Sequence, residues 1–168
     1  MASNALKQEF SADSGEFLTF ILGGEEYGVD ILSVQGIQGW NGVTRVPDTS
    51  EHMLGVINLR GAIVPIIDMR LKFDLERAEF DTTTVVIVVR AELEEQEHIL
   101  GLVVDAVSEV YKIDRKDIQT NPEFGAEHNT DLVKGLITID EKMIIVLDVD
   151  LLIADWTPEK DSEEVAAA

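Results

Sequence analysis

The stretch Gly55–Phe73, GVINLRGAIVPIIDMRLKF, is the part of the sequence from which the fold is interpreted. Two apolar, β-branched runs flank the polar pair Arg60-Gly61, and this pattern is typical of a β-hairpin. Glycine accepts the positive φ that a tight turn needs, so the bend is predicted at Arg60-Gly61. Arg60 would then stand at the tip of a rigid hairpin, either as a solvated turn residue or as a contact residue.

The same hairpin pattern occurs twice. Gly55–Arg60 matches Gly135–Asp140, and Ile63–Asp68 matches Met143–Asp148. Upstream of these hairpins, the segment from Gly28 to Ile37 matches the segment from Gly101 to Val110. This internal repeat predicts an all-β protein with two small barrels, because barrels remove exposed strand edges.

The predicted organisation has three parts. Residues 1–15 form a flexible N-terminal tail, and residues 157–168 form an acidic C-terminal tail. Between them, residues 16–153 hold the two barrels, at roughly 16–80 and 81–153, and an exchange of strands between the barrels is left open.

The repeat separates shared residues from residues that only one half has. Gly55 and Asp68 recur as Gly135 and Asp148, so we assign them structural roles in turns and side-chain-to-backbone hydrogen bonds. Arg60-Gly61 is replaced by an acidic pair, Asp140-Glu141. Because the same turn tolerates the opposite charge, the fold does not require arginine there, and this favours a functional role for Arg60.

The composition excludes several classes of partner. The formal charge is −20, which repels the phosphates of nucleic acids and anionic lipid. Against this background, Arg45, Arg60 and Arg70 are conspicuous as exposed basic residues. The chain has no cysteine, no signal-peptide core and no apolar run of membrane-spanning length, so a soluble cytoplasmic protein is expected.

Several local patterns predict particular elements. Val85–Val89 is apolar at every residue, so both faces of this strand should be covered. The apolar spacing of Ile31, Val34 and Ile37 fits either a short helical turn or a bulged strand, and periodicity does not decide between them. Asp148–Ala154 is predicted to end in a short helix.

No pattern of residues predicts catalysis. The three histidines, His52, His98 and His128, lie in no metal-binding spacing, and nucleophile elbows and glycine-rich phosphate loops are absent from the sequence. Asp68 and Asp148 fit strand-end caps better than a carboxylate pair. We therefore expect no enzyme, no cofactor and no metal; the competing interpretation is a small-ligand enzyme or sensor built on a β-barrel.

Three apolar residues are ambiguous. Val34 and Ile37 fit either a core or an interface. Phe124 lies beside Pro122 in a polar loop, where it can anchor a partner or fold back onto a barrel.

In order along the chain, Glu25–Ile31 (EEYGVDI), Val43–Pro47 (VTRVP) and Gly55–Asp68 (GVINLRGAIVPIID) resemble the CheW family, the adaptor proteins of bacterial chemotaxis. The likeness extends from about residue 16 to residue 153 and includes Gly101–Asp105 and Pro122–Phe124.

The resemblance implies two SH3-like five-stranded β-barrels with short helices. It also implies a non-enzymatic scaffold, without cofactor or metal, that couples the cytoplasmic tips of chemoreceptors (methyl-accepting chemotaxis proteins) to the regulatory domain of the histidine kinase CheA. Such a protein would be cytoplasmic, recruited to membrane-bound receptor arrays, and able to self-associate in rings. An adaptor for a non-chemotactic sensory kinase is the alternative that the resemblance leaves open.

The resemblance also implies two groups of site residues. The receptor-binding residues are Val34, Ile37, Gly55, Asn58, Arg60 and Val110, and the kinase-binding residues are Gln119 and Phe124. This chain departs from the family pattern at Gly36 and Gln38, where Glu and Arg are frequent, and at Gln119, where Arg occurs. These departures affect rim charges, which influence association rate and specificity more than affinity.

Overall fold

The computed structural model describes residues 14–47, 52–76, 79–120 and 132–156. These ranges contain ten β-strands and two short α-helices. The strands are β1 (Ser14–Leu22), β2 (Glu25–Asp30), β3 (Val34–Gly39), β4 (Met53–Leu59), β5 (Ala62–Asp68), β6 (Val85–Leu93), β7 (Gln96–Val104), β8 (Ala106–Asp114), β9 (Val133–Ile139) and β10 (Lys142–Leu147). The helices are α1 (Met69–Lys72) and α2 (Val149–Asp155), and 3₁₀ turns cover Ile31–Ser33 and Arg115–Asp117.

The strands form two five-stranded sheets, here called the first and the second barrel. The first barrel has the strand order β8-β1-β2-β10-β9, and the second has the order β3-β6-β7-β5-β4. The predicted all-β architecture of two five-stranded units with short helices is confirmed.

Strand pairing crosses the two halves of the sequence repeat. Strands β1 and β2 share the first barrel with β8, β9 and β10, whereas β3, β4 and β5 share the second barrel with β6 and β7. Each barrel therefore takes strands from both sides of residue 80. Four strand pairs join the halves: β1 with β8 and β3 with β6 are antiparallel, and β2 with β10 and β5 with β7 are parallel. A tight hairpin can join only antiparallel neighbours, so these parallel pairs depend on contacts between distant parts of the chain.

Alternation along the strands divides the apolar core into three clusters. The largest contains buried side chains of both barrels, the second belongs to the first barrel, and the third belongs to the second barrel. In β6, Ile87 and Val89 join the shared cluster, while Val86 and Val88 point into the second barrel. The prediction that Val85–Val89 is covered on both faces is confirmed, and its cause is this double packing.

In each barrel, one glycine allows a neighbouring segment to approach and close the barrel. The segment after β3 bridges to β4 through Thr44 and Val56, and the segment after β8 bridges to β9 through Gln119 and Leu136. All four backbone hydrogen bonds of these bridges are 2.8–2.9 Å long. A Cβ atom at Gly55 would lie 2.3 Å from the Thr44 carbonyl oxygen.

The equivalent Cβ at Gly135 would lie 2.4 Å from the Gln119 carbonyl oxygen. Glycine recurs in both halves because the neighbouring backbone occupies the place of a side chain.

The two shared aspartates cap the helices. Asp68 Oδ1 accepts a hydrogen bond from the Arg70 N–H at 2.9 Å, and Asp148 Oδ1 accepts one from the Leu151 N–H at 3.0 Å. The short helix predicted after Asp148 is confirmed as α2. Helix α1 was not predicted, because four residues are too few to show a helical period.

The segment from Ile31 to Ile37, for which the sequence left a helical turn and a bulged strand open, contains both. A 3₁₀ turn covers Ile31–Ser33, and β3 follows with a bulge between Val34 and Gly36. An equivalent bulge lies in β8, opposite Leu18 and Phe20.

Strand β1 begins at Ser14, inside the segment 1–15 that was predicted as a tail. Ser14 and Gly15 pair with the end of β8, and the Arg115 guanidinium donates to the Ser14 carbonyl oxygen at 3.1 Å. These contacts hold the two residues in the strand.

We expect Gly55→Ala to lower the free energy of unfolding by about 1–3 kcal/mol or more, because the added methyl overlaps the Thr44 carbonyl. Urea unfolding followed by circular dichroism measures this. Gly36→Ala is the control, since no atom lies within 4 Å of a Cβ at that position. Equal stabilities of the two variants would contradict the close-approach explanation.

Candidate functional site

The turns of the two repeated hairpins have the same backbone and different charges. Arg60 and Gly61 have φ values of 52° and 90°, and Asp140 and Glu141 have φ values of 50° and 67°. Positive φ at both central residues is the geometry that matches the twist of the flanking strands. The predicted bend at Arg60-Gly61 is confirmed.

Arg60 is exposed at this turn and makes no ion pair or side-chain hydrogen bond with any residue in the described ranges. Asn58, two residues earlier, stabilises the turn itself, because its Oδ1 accepts a hydrogen bond from the Gly61 N–H at 2.8 Å. The turn thus holds a guanidinium in solvent without using it for the fold.

Two predicted apolar residues occupy equivalent positions of the bulged strands. Ile37 in β3 pairs with the buried Ile87, and Val110 in β8 pairs with the buried Leu18. Their exposed fractions are 46% and 50%. Val34 is half-buried and packs against the shared core cluster. Ile37 and Val110 therefore offer apolar surface at two strands that are related by the repeat.

The predicted site residues are divided between the barrels. Val34, Ile37, Gly55, Asn58 and Arg60 belong to the second barrel, and Gly55 contributes the closeness of its backbone rather than a side chain. The first barrel carries Val110 and the bridge residue Gln119.

The Gln119 side chain is exposed, whereas its backbone pairs with Leu136. Phe124 lies outside the described residues, so its predicted role in kinase binding stays a prediction.

Arg70 is not the exposed basic residue that the composition indicated. Its Nε and Nη2 atoms donate to the two carboxylate oxygens of Asp105 at 2.8 and 2.6 Å. Asp105 Oδ2 also accepts from the Gly23 N–H at 2.9 Å, and Arg70 Nη1 donates to the Glu76 carbonyl at 3.1 Å. We call Arg70, Asp105 and Gly23 the clamp. It connects α1 with the peptide between β7 and β8 and with the β1–β2 hairpin.

The clamp perturbs both of its charged groups. Partial burial raises the pKa of Asp105, but the hydrogen bonds from Arg70 and Gly23 outweigh it, so the pKa lies below its usual value. The hydrogen bond to Asp105 raises the pKa of Arg70. No local pattern in the sequence indicates this pair, because its members are 35 residues apart.

A second polar contact that the sequence did not indicate lies inside the first barrel. The Thr19 hydroxyl is within 3.2 Å of Glu26 Oε1, and it accepts the Glu109 N–H at 3.0 Å. Both Thr19 and Glu26 are buried. The hydroxyl satisfies the backbone of the β8 bulge, which gives this contact a structural role.

The described residues include no group of three or more His, Asp or Glu side chains that could hold a metal ion. Of the three histidines, His52 and His98 fall in the described ranges and His128 does not. Over the same ranges, no helix is long and apolar enough to cross a membrane.

Comparisons with known proteins agree on one family. The model of the CheW-like domain matches residues 16–156. The Chemotaxis protein CheW of Klebsiella aerogenes is 44% identical over 151 residues, covering 90% of this chain and 84% of that protein. The Chemotaxis protein CheW of Helicobacter pylori is 36% identical over 149 residues, covering 89% and 87%.

The solved structure of the scaffolding protein TtCheW from Thermoanaerobacter tengcongensis superposes with a TM-score of 0.71 at 35% identity, covering 80% of this chain and 88% of that one.

Fold and comparisons together define a chemotaxis scaffold or adaptor protein, and the prediction that the chain is not an enzyme is confirmed. The chain belongs to the CheW family.

We expect the clamp to stabilise the protein in a pH-dependent way. Because the pKa of Asp105 is lower in the folded than in the unfolded chain, where it is about 3.9, the stabilisation is complete above that value. It is lost as the pH falls through the lower, folded pKa. Asp105→Asn should therefore cost about 1–3 kcal/mol at pH 7 and progressively less in acid.

Urea unfolding of both proteins between neutral and acidic pH measures this difference. Glu97→Gln is the matched control, since Glu97 pairs with Arg90 at 3.9 Å and both side chains are more than half exposed. It should change stability less than Asp105→Asn does. A constant gap between the native protein and Asp105→Asn across the pH range would disprove the linkage.

Proposed function

We propose that this chain couples the cytoplasmic tips of chemoreceptors to the histidine kinase CheA, as a cytoplasmic scaffold recruited to receptor arrays at the membrane. The observation that carries the proposal is Arg60, a guanidinium held in solvent by a rigid turn and replaced by Asp140 in the repeated hairpin. An arginine that the fold neither pairs nor needs is available to a partner.

The receptor-binding surface combines this charge with apolar area. Arg60 presents a planar fork of donors that suits a carboxylate or helix carbonyls. Ile37 and Val110 offer half-exposed apolar side chains, and Val34 lies beside Ile37 on β3. Complete burial of such a side chain contributes about 1.5–3 kcal/mol, so covering the exposed half of each contributes roughly 1 kcal/mol.

Gly55 and Asn58 support this surface indirectly. Gly55 permits the bridge between Thr44 and Val56 next to the hairpin, and Asn58 holds the turn that carries Arg60. Their part in receptor binding is to position the neighbouring backbone.

The kinase-binding surface is assigned to Gln119, a bridge residue of the first barrel, and to Phe124, which lies outside the described residues. The bridge to Leu136 fixes the backbone of Gln119 while its side chain stays exposed. A scaffold whose receptor and kinase contacts lie largely on different barrels can hold both partners at once. Modest affinity at each contact is sufficient in rings or arrays, where multivalency raises the effective concentration.

Arg60→Glu should weaken binding to a soluble chemoreceptor-tip fragment by roughly tenfold or more, since it replaces a donor with a like charge facing a carboxylate. Isothermal titration calorimetry measures the affinity, and circular dichroism with the melting temperature verifies the fold. Lys142→Glu is the matched control, because Lys142 is an exposed base at the other repeated hairpin. Unchanged binding by Arg60→Glu, or an equal loss in both variants, would refute the assignment.

Phe124→Ser should weaken assembly with the regulatory domain of CheA and leave binding to the receptor fragment unchanged, because an aromatic anchor at a protein interface is lost. Pull-down of each partner separately gives the two readouts. Loss of both activities together with a lower melting temperature would show that Phe124 is a core residue.

A further inference from the structure

The clamp has a counterpart in the other half of the repeat, and there its charges are not reproduced. Thr19 pairs with Gly28 in the first barrel, as Val88 pairs with Gly101 in the second. Counting four residues on from each glycine makes Leu32 the counterpart of Asp105. The helix caps Asp68 and Asp148 likewise make Asp150 the counterpart of Arg70.

The third member of the clamp differs as well. Counting four residues on from Thr19 and from Val88 makes Glu92 the counterpart of Gly23. Where the clamp has a carboxylate between an arginine and a backbone N–H, its counterpart has two carboxylates and a leucine.

The counterpart site is open. A groove of about 620 Å³ is lined by Leu32, Arg90, Ala91, Glu92, Glu95, Glu97 and Asp150. Leu32 is 76% exposed, the largest exposed fraction among the large apolar residues of the described ranges. Its position is fixed, because its N–H donates to Asp30 Oδ1 at 2.9 Å and Arg115 holds the other oxygen of that carboxylate at 2.8 Å.

The charges of the groove are unbalanced. Glu92, Glu95, Glu97 and Asp150 supply four carboxylates, while Arg90 is the one cation in the lining and lies 3.9 Å from Glu97. A cation entering this groove would meet carboxylates, as Arg70 meets the carboxylate of Asp105, beside an exposed apolar side chain whose backbone is held by a hydrogen bond.

We propose that this groove binds a segment of a partner protein that carries a lysine or arginine next to a branched apolar side chain. The cation pairs with Asp150 and Glu92, as Arg70 pairs with Asp105 within the chain, and the apolar side chain covers Leu32. None of the lining residues belongs to the receptor-binding or kinase-binding sets. The proposal therefore does not depend on the proposed function.

The first test uses the full chain, labelled with ¹⁵N, and a short capped helical peptide with lysine and leucine on one face. We expect the changes in amide chemical shift to concentrate at the groove: in the 3₁₀ turn Ile31–Ser33, the β6–β7 hairpin and the start of α2. One control peptide replaces every lysine with glutamate, and a second replaces every leucine with alanine. The affinity of each should be lower than that of the first peptide by roughly tenfold or more. Shifts spread over the acidic surface, or equal binding by the leucine-free peptide, would overturn the proposal.

The second test rebuilds the clamp at the counterpart site. The double variant Leu32→Asp, Asp150→Arg places the two charges of Asp105 and Arg70 at equivalent positions, and it should lose peptide binding by roughly tenfold or more while keeping its melting temperature.

Met143→Glu is the matched control, because Met143 is 56% exposed on the first barrel, outside the groove, and this change also alters a single exposed apolar residue. It should bind the peptide like the native chain. Native-like binding by the double variant, or equal losses in both variants, would overturn the proposal.

Discussion

The reciprocal exchange of strands between the two halves of the chain is the constraint on which the rest of the structure depends. After β2 the chain leaves the first barrel and contributes β3 to the second, and after β7 it crosses back with β8. The parallel pairs β2–β10 and β5–β7 then join strands that are distant in sequence. The shared core cluster lies where these crossings bring both barrels together, so neither barrel has a complete core of its own.

The parts of the fold that the sequence predicts are those with short-range causes. Apolar runs on either side of a short polar pair indicate each repeated hairpin, and an aspartate followed by apolar residues indicates α2. The glycine pair Gly55 and Gly135 could be recognised as structural by comparing the halves. The backbone oxygens that make glycine necessary are those of Thr44 and Gln119, which only the folded chain brings near.

The candidate site was predicted less completely, for the same reason. Arg60 could be found because its counterpart Asp140 carries the opposite charge in the same turn. Arg70 shows no such sign, because its sequence neighbourhood resembles that of an exposed base. Its carboxylate partner, Asp105, lies in the connection between β7 and β8. The repeat alone therefore identifies a residue that the two halves do not share, and only the contacts in the structure show whether the fold uses that residue, as it uses Arg70.

The order in which the two barrels can be completed during translation follows from the exchange of strands. The second barrel contains no strand beyond β7, so all of its strands can pair once residue 104 has emerged. In the first barrel β1 waits for β8, which ends at residue 114, and β2 waits for β10, which ends at residue 147. Until then β1 and β2 form a hairpin whose outer edges lack strand partners, and a nascent-chain chaperone would meet exposed strand edges at this hairpin.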